Sequence, residues 1–169
     1  KMALMLAVDD PKRFKAVVMV GGNSGPQNQF DRRIQGYRDG PLPEYRRGHL
    51  EFGVSPGFAK SGMGQYFVNS FMDATEGLDA EAIARVFEAL TVSDVTPKLP
   101  AFRTPSLVIN GEFDSALKAG TTTASLIKDC RHVVLKNAGH ACNLEVPEAF
   151  DGAVISFLAD NGLMPKKPT

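Results

Sequence analysis

The stretch TPSLVINGEFDS at residues 104–115 predicts a buried strand that runs into an acidic turn. Its continuous apolar run over 106–111 is typical of a strand that is covered on both faces, as in a parallel sheet. A second stretch, HVVLKNAGHACNLEVPEAF at 132–150, has the same form, with an apolar run that leads into a Gly-His turn and then a helix. An acid and a histidine therefore follow two buried strands.

Strands and helices alternate along the rest of the chain. An apolar helix is predicted at 2–8, and the run KAVVMVGG at 15–22 predicts a third buried strand that is closed by glycines. Further helices are predicted at 116–130 and 146–162. This alternation predicts an α/β fold, with a parallel sheet that has helices on both faces.

Residues 30–97 differ from both flanking parts, because charged, aromatic and glycine residues are mixed there and no strand pattern appears. Apolar residues recur at helical spacing in three segments, at 42–52, 56–74 and 79–90. We therefore predict an inserted helical layer over 30–97. The core is then divided between 1–29, with the first helix and strand, and 98–169, with the last two strands.

Composition argues against several classes of function. The chain has 19 basic and 19 acidic residues and no basic stripe, so there is no electrostatic case for binding nucleic acid. It lacks the run of about 18 apolar residues that spans a membrane, and it shows no signal peptide. Cys130 and Cys142 do not make a disulfide framework, and the histidines lack metal-ligand spacing. We expect a cytoplasmic protein with no membrane partner, metal or organic cofactor.

Asp114 and His140 are expected at one edge of the sheet. Asp114 comes shortly after the strand that ends at Gly111, and His140 follows Gly139 after the next strand. The carboxyl ends of parallel strands meet at the same edge, where such sheets bind ligands. An acid that orients a histidine base is the pairing that activates a weak nucleophile. Glu112, in the same turn as Asp114, is the alternative acid.

These motifs resemble those of the α/β-hydrolase family. LVINGEFD is similar to the strand end that carries the family's acid, and NAGHACNLEVPEAF is similar to the turn and helix that carry its base. KMALMLAVDDPKRFKAVVMVGG is similar to the helix after the nucleophile and the strand that follows it, and the segment 30–97 stands where the family has its lid. The resemblance covers essentially the whole chain but only the C-terminal part of the family's domain. It implies Asp114 as the acid, in preference to Glu112, and His140 as the general base.

The nucleophile is not assigned by this resemblance, because the family's Gly-x-Ser-x-Gly motif is absent. Ser24 lies in GGNSGP, where Pro26 replaces the second glycine, and Ser61 lies in the helical insert. KMALMLA has the composition of the helix after the nucleophile and no capping residue before it. We therefore expect the nucleophile on a segment upstream or on another chain. Serine, aspartate and cysteine all stay open as its identity.

Three residues are candidate substrate contacts: Asn23 after the first strand, Phe67 in the insert and Cys142 near His140. Phe67 belongs to an apolar stripe that either packs or also roofs a pocket. The stripe consists of Phe58, Met63, Tyr66, Phe67, Phe71 and Met72. For Cys142 the alternative is a place in the core, because free cysteine usually behaves as a small hydrophobic residue. Ser24 is either a loop serine or a further substrate contact.

The expected function is hydrolysis of an ester, thioester, lactone or similar small apolar electrophile. The expected partners are this small-molecule substrate and the companion segment or chain that carries the nucleophile. Two alternatives stay open: a non-catalytic small-molecule-binding relative of the same fold, and one subunit of a processed two-chain enzyme. His132 is expected to be structural or exposed, and His49 is expected at the surface.

Overall fold

The computed structural model describes residues 1–26 and 30–165, and its sheet consists of three parallel strands. The strands β1 (Val17–Val20), β2 (Ser106–Gly111) and β3 (Arg131–Leu135) lie side by side in that order. Both pairs of neighbouring strands are parallel. All carboxyl ends therefore meet at one edge, and the predicted parallel sheet is confirmed.

Helices cover both faces of this sheet. The helices α1 (Met2–Asp9) and α7 (Leu117–Leu126) pack on one face, while α9 (Pro147–Asp160) packs on the other. Strand β2 supplies side chains to both cores because successive side chains of a strand point to opposite faces. Val108 lies in the core with α1 and α7, and Leu107 and Ile109 lie in the core with α9.

Five α-helices lie between β1 and β2 in the described part of the chain, and we call them the helical insert. They are α2 (Asp31–Asp39), α3 (Leu42–Phe52), α4 (Pro56–Lys60), α5 (Gly62–Asp73) and α6 (Ala80–Val92). Helix α2 was not predicted as a separate element, because its segment DRRIQGYRD has only two large apolar side chains, Ile34 and Tyr37. The helix packs against α6 and buries Tyr37, so tertiary contacts support it where the apolar pattern is weak.

The segment 56–74, whose apolar residues recur at helical spacing, forms two helices, because α4 and α5 are separated at Ser61. The backbone of Ser61 is extended, and its hydroxyl accepts a hydrogen bond from the N–H of Gly64 at 3.0 Å. Ser61 therefore caps α5. A side chain at Gly64 would clash, since a Cβ there would lie 1.8 Å from the carbonyl oxygen of Phe58.

Three other predicted elements end earlier than expected. The strand predicted at 15–22 ends before Gly21 and the strand at 132–139 ends before Asn137, and both of these residues have a positive φ. The helix predicted at 116–130 ends at Leu126, because the backbone of Ile127 is extended. A positive φ is incompatible with a regular strand or helix. The predicted loop at 23–29 and tail at 163–169 lie partly outside the described residues. The remaining helix, α8 (Cys142–Glu145), is a single turn between β3 and α9.

Strand β1 forms one edge of the described sheet, since it pairs with β2 alone. Val17 is buried beneath α1, whereas Val20 is 37% exposed. No helix over 1–26 and 30–165 has the length and apolar character needed to cross a membrane. Cys130 and Cys142 are both free thiols.

Candidate active site

The side chains of Asp114 and His140 meet at the carboxyl edge of the sheet. Asp114 lies in the turn after β2, His140 lies in the turn after β3, and Nδ1 of the histidine is 2.9 Å from Oδ1 of the carboxylate. The Asp114 side chain is fully buried, whereas that of His140 is 55% exposed. The pair therefore has the geometry expected of an acid that orients an accessible base.

Asp114 is held by two further donors besides His140. The N–H of Ala116 donates to Oδ1, and Nδ2 of Asn110 donates to Oδ2, both at 2.9 Å. Burial by itself raises the pKa of Asp114, but these hydrogen bonds outweigh it and hold that pKa below its ordinary value. An ionised Asp114 accepts from Nδ1–H of His140, so Nε2 is the basic nitrogen. Within the described residues, Nε2 has no hydrogen-bond partner.

Asn110 is a site residue that the sequence analysis missed. It is fully buried in β2, and its Oδ1 lies 3.2 Å from Nε2 of His132, a half-buried residue of β3. A chain of polar side chains thus runs from His132 through Asn110 and Asp114 to His140. Gly120 on α7 makes room for it, because a Cβ there would lie 2.2 Å from Oδ1 of Asn110. The sequence feature that could have identified Asn110 is its polar amide within the otherwise apolar run SLVING.

Gly21 leaves the space that the His140 ring occupies. Its φ is +58°, and a Cβ built on it would lie 2.5 Å from Cε1 and 2.6 Å from Nδ1 of the imidazole. The backbone there is held to the sheet, because the N–H of Gly21 donates to the carbonyl of Ile109 at 2.9 Å. Any side chain at this position would therefore press against the ring. The end of β1 is a third component of the site.

Glu145 joins the histidine turn to the helical insert. Its Oε1 accepts the N–H of Gly139 at 2.8 Å, and its Oε2 accepts the N–H of Ser55 at 2.7 Å. The carbonyl oxygen of Gly53 also accepts the N–H of His140 at 2.8 Å. Ser55 and Gly53 belong to the connection between α3 and α4. The position of His140 therefore depends on the insert as well as on the sheet.

A cleft of about 460 Å³ lies beside His140, between the sheet edge and the insert. Its apolar lining is formed by Val20, Phe30, Phe52, Phe87, Leu90 and Ala116. Its polar side chains are Lys1, Asn23, Arg33, Ser115 and His140. A cleft that combines apolar side chains with several polar groups is typical of sites for small organic molecules. Over 1–26 and 30–165, no group of three or more His, Cys, Asp or Glu side chains is placed to hold a metal ion.

Of the three predicted substrate contacts, Asn23 lines this cleft, but Phe67 and Cys142 do not. Phe67 lies on α5, where its ring packs between Phe58 and Phe71. Cys142 is fully buried in the core against α9, and burial, the main cause, raises the pKa of its thiol to about 11. Phe67 and Cys142 therefore pack within the protein, whereas Met63, Tyr66 and Phe71 of the same stripe are exposed.

Glu112, the alternative acid, is bound to other groups. Its Oε1 lies 3.0 Å from Nζ of Lys136, and its Oε2 accepts the N–H of Asn137 at 3.1 Å. The backbone hydrogen bond and then the lysine lower its pKa. Asp114, and not Glu112, makes the contact with His140.

The serines that the sequence singled out are also engaged elsewhere. Ser24 is buried, and its hydroxyl accepts a hydrogen bond from Thr123 at 3.0 Å. Ser61 caps α5. Ser115, which the sequence analysis did not consider, lines the cleft, but it has no hydrogen bond to His140 in the described structure.

The prediction that His49 lies at the surface is wrong, because the insert packs around it. It is half-buried in the insert, its Nδ1 lies 2.8 Å from the hydroxyl of Tyr37, and its ring packs near Phe87. Burial, and then the positive charge of Arg33, lowers the pKa of His49 to about 4. The neutral ring can therefore accept the hydrogen bond of the Tyr37 hydroxyl.

Comparison with known proteins gives short sequence matches. No protein-family model matches the chain. Protein ABHD14A of Rattus norvegicus is 45% identical over 60 residues, which is 34% of this chain and 24% of that protein. Polyketide synthase ThaQ of Burkholderia thailandensis is 37% identical over 83 residues, which is 48% of this chain and 4% of that protein. The chain thus spans a quarter or less of the length of these relatives.

Solved structures match over much more of the chain. A hydrolase from Pseudomonas aeruginosa PA01 has a TM-score of 0.81 at 28% identity, over 92% of this chain and 60% of that one. The enol-lactonase from Burkholderia xenovorans LB400 has a TM-score of 0.82 at 24% identity, over 93% and 61%. MGS-M2, an alpha/beta hydrolase from a deep-sea metagenome library, has a TM-score of 0.74 at 20% identity, over 99% and 62%. The chain therefore has the α/β-hydrolase fold, with the architecture of the C-terminal part of that fold.

Proposed function

We propose that this chain supplies the base and the acid of an α/β-hydrolase-type enzyme that hydrolyses small esters, thioesters or lactones. The observation that carries the proposal is the 2.9 Å contact between His140 and the buried Asp114, beside a cleft that His140 helps to line. Similar structures include an enol-lactonase and a thermophilic esterase from Thermogutta terrifontis, and they support this class of reaction. The chain spans about three fifths of those two proteins.

In the proposed reaction, Nε2 of His140 removes the proton of a hydroxyl or thiol nucleophile as it attacks the substrate carbonyl carbon. Asp114 holds Nδ1–H and stabilises the imidazolium that forms. His140 then gives the proton to the leaving alcohol or thiol, which departs and leaves an acyl-enzyme. Water attacks the acyl group with His140 again as base, and the carboxylic acid and free nucleophile result.

We place the nucleophile outside residues 1–169, on an upstream segment or on a second chain. Two observations support this. The hydroxyls of Ser24 and Ser61 are engaged in the described structure, and Ser115 does not contact His140. A parallel strand added along the outer edge of β1 would end near Gly21, and therefore near the imidazole.

The test is a hydrolysis assay on the protein together with the segment or chain that carries the nucleophile. A panel of aryl esters, lactones and acyl thioesters should contain at least one class that is turned over. Ser115→Ala should retain turnover, because Ser115 lines the cleft but has no hydrogen bond to His140 in the described structure. Binding of the same compounds with no turnover would contradict the proposal and indicate a binding protein. Loss of all turnover in Ser115→Ala would place the nucleophile within this chain.

A further inference from the structure

Arg33 is a cation of the cleft that has no hydrogen-bond or ion-pair partner among the described residues. It lies on α2 and is half-buried. Its guanidinium carbon is 5.3 Å from the ring centroids of both Phe30 and Phe87, whose own centroids are 5.1 Å apart. Two aromatic rings therefore hold the guanidinium in place by cation–π contact without using its five N–H donors.

The other arginines of the insert are in different situations. Four of them use their donors within the protein: Arg38 on Glu81 and Glu88, Arg46 on the Phe71 carbonyl, Arg47 on Asn69, and Arg85 on Glu81. Arg32, the neighbour of Arg33 on α2, is exposed to solvent. Arg33 alone among the arginines of the described insert lines the cleft that contains His140.

The charge of the cleft is positive, although the whole chain has a net charge of zero. Lys1 and Arg33 line it, and no aspartate or glutamate does. The ammonium of Lys1 already donates to three backbone carbonyls, so Arg33 is the cation with donors to spare. Asp114 is fully buried and bonded beneath the cleft. An apolar lining weakens the screening of charge, and this strengthens the attraction of the cleft for an anion.

We propose that Arg33 binds a carboxylate of the substrate, so that the enzyme prefers esters or lactones that carry a free carboxylate over neutral ones. This inference rests on the proposed function, because it names the substrate class of the same cleft. A guanidinium matches a carboxylate with two parallel hydrogen bonds, which fixes the direction of the bound group. Held at one point by Arg33, the substrate presents its scissile carbonyl in a defined position relative to His140.

The experiment compares two aryl esters of equal chain length, 4-nitrophenyl hydrogen glutarate and the neutral 4-nitrophenyl pentanoate. The quantity measured is the ratio of kcat/KM for the anionic ester to that for the neutral ester. In Arg33→Gln the ratio should fall about tenfold or more, with kcat/KM for the neutral ester within about threefold of wild type. Arg33→Lys keeps the charge and should retain part of the ratio. Arg32→Gln, which changes an exposed arginine on the same helix, should leave the ratio unchanged.

A second measurement separates failure of this inference from failure of the proposed function. Glutarate is titrated into wild type, Arg33→Gln and Arg32→Gln by calorimetry, which needs no turnover. Binding that is at least about tenfold weaker in Arg33→Gln alone would support the carboxylate site even if neither ester is hydrolysed. An unchanged ratio of kcat/KM, an equal loss on both esters, or equal glutarate affinity in wild type and Arg33→Gln would overturn it.

Discussion

Asp114 is ionised and fixed because buried donors surround it. Burial by itself would raise its pKa, and the opposing hydrogen bonds come from His140, the backbone of Ala116 and the amide of Asn110. The Asn110 side chain is itself fixed by His132, which lies 3.2 Å from its amide oxygen. Removal of the amide should therefore affect both the stability of the fold and the orientation of the base.

Asn110→Leu replaces this amide with an apolar side chain of similar size. It should lower the free energy of unfolding by roughly 1–3 kcal/mol, because the buried carboxylate loses a donor. Urea unfolding at pH 7 measures the change. Asn143→Ala, at an exposed asparagine, should change stability by no more than about 0.5 kcal/mol. Equal stabilities of wild type and Asn110→Leu would show that the amide does not support Asp114.

His49 should make stability depend on pH. Its pKa in the folded protein is about 4, against an ordinary value of 6.5. Between these values the unfolded chain binds more protons, so the contribution of His49 is complete above about pH 6.5 and declines as the pH falls toward 4. The loss should be roughly 1–3 kcal/mol. Urea unfolding from pH 7.5 to pH 4.5 should show a smaller decline in His49→Gln, which can still accept from Tyr37. An identical decline in both proteins would exclude His49 as its source.

The three strands predicted from apolar runs all formed, although two of them end earlier than predicted. Strand β2 has the predicted bounds 106–111, because six buried residues in succession leave little choice of structure. Predictions from the apolar pattern failed where a single polar contact or a neighbouring element determines the local structure. The Ser61 hydroxyl interrupts an apolar helical stripe, and α2 depends on its packing against α6.

The edge of the sheet that holds Asp114 and His140 was predictable from the strand order, and their 2.9 Å contact agrees with it. Contacts between distant segments were not predictable. The space that Gly120 leaves for Asn110, and the bridge that Glu145 makes to Ser55, exist only after the chain has folded. A single sequence holds no signal for such pairings. The roles of the site residues in catalysis stay predictions.

The bridge by Glu145 couples two elements, and its removal should affect both. Glu145→Ala leaves the N–H groups of Gly139 and Ser55 without an acceptor, which should cost roughly 1–3 kcal/mol per buried group. Hydrogen exchange should then speed up at both amides, because each loses its acceptor and, in the described structure, only the Gly53 carbonyl still joins the histidine turn to the connection between α3 and α4. Glu148→Ala, at an exposed glutamate of α9, is the matched control. Faster exchange at only one of the two amides would contradict the coupling.

The described molecule has an apolar side that its own elements do not cover. Strand β1 pairs only with β2 in the described structure, and α1, which packs on β1, leaves Met2 and Leu6 73% and 61% exposed. An unpaired strand edge beside exposed apolar residues invites pairing with another chain. We therefore propose that a companion segment covers this side and adds a strand to the sheet.

Residues 1–169 produced alone should then unfold without a cooperative transition, or aggregate. A domain is stable by only about 5–15 kcal/mol, and each fully buried large apolar side chain contributes roughly 1.5–3 kcal/mol of that. Urea unfolding followed by circular dichroism compares the isolated chain with the protein that includes the companion segment. A soluble monomer of residues 1–169 with a sharp, cooperative transition would refute the requirement for a companion.

The assignment of His140 as the base, oriented by Asp114, is tested by kcat/KM of His140→Ala in the protein that includes its nucleophile. On an ester that the wild type hydrolyses, kcat/KM should fall by about a thousandfold or more, because only binding and oxyanion stabilisation would remain. Asp114→Asn should also lower it strongly. His140→Ala should lower the free energy of unfolding by roughly 1–3 kcal/mol, because the buried Asp114 carboxylate loses a donor, but circular dichroism should show that the protein stays folded. A folded His140→Ala protein with near-normal kcat/KM would contradict the assignment.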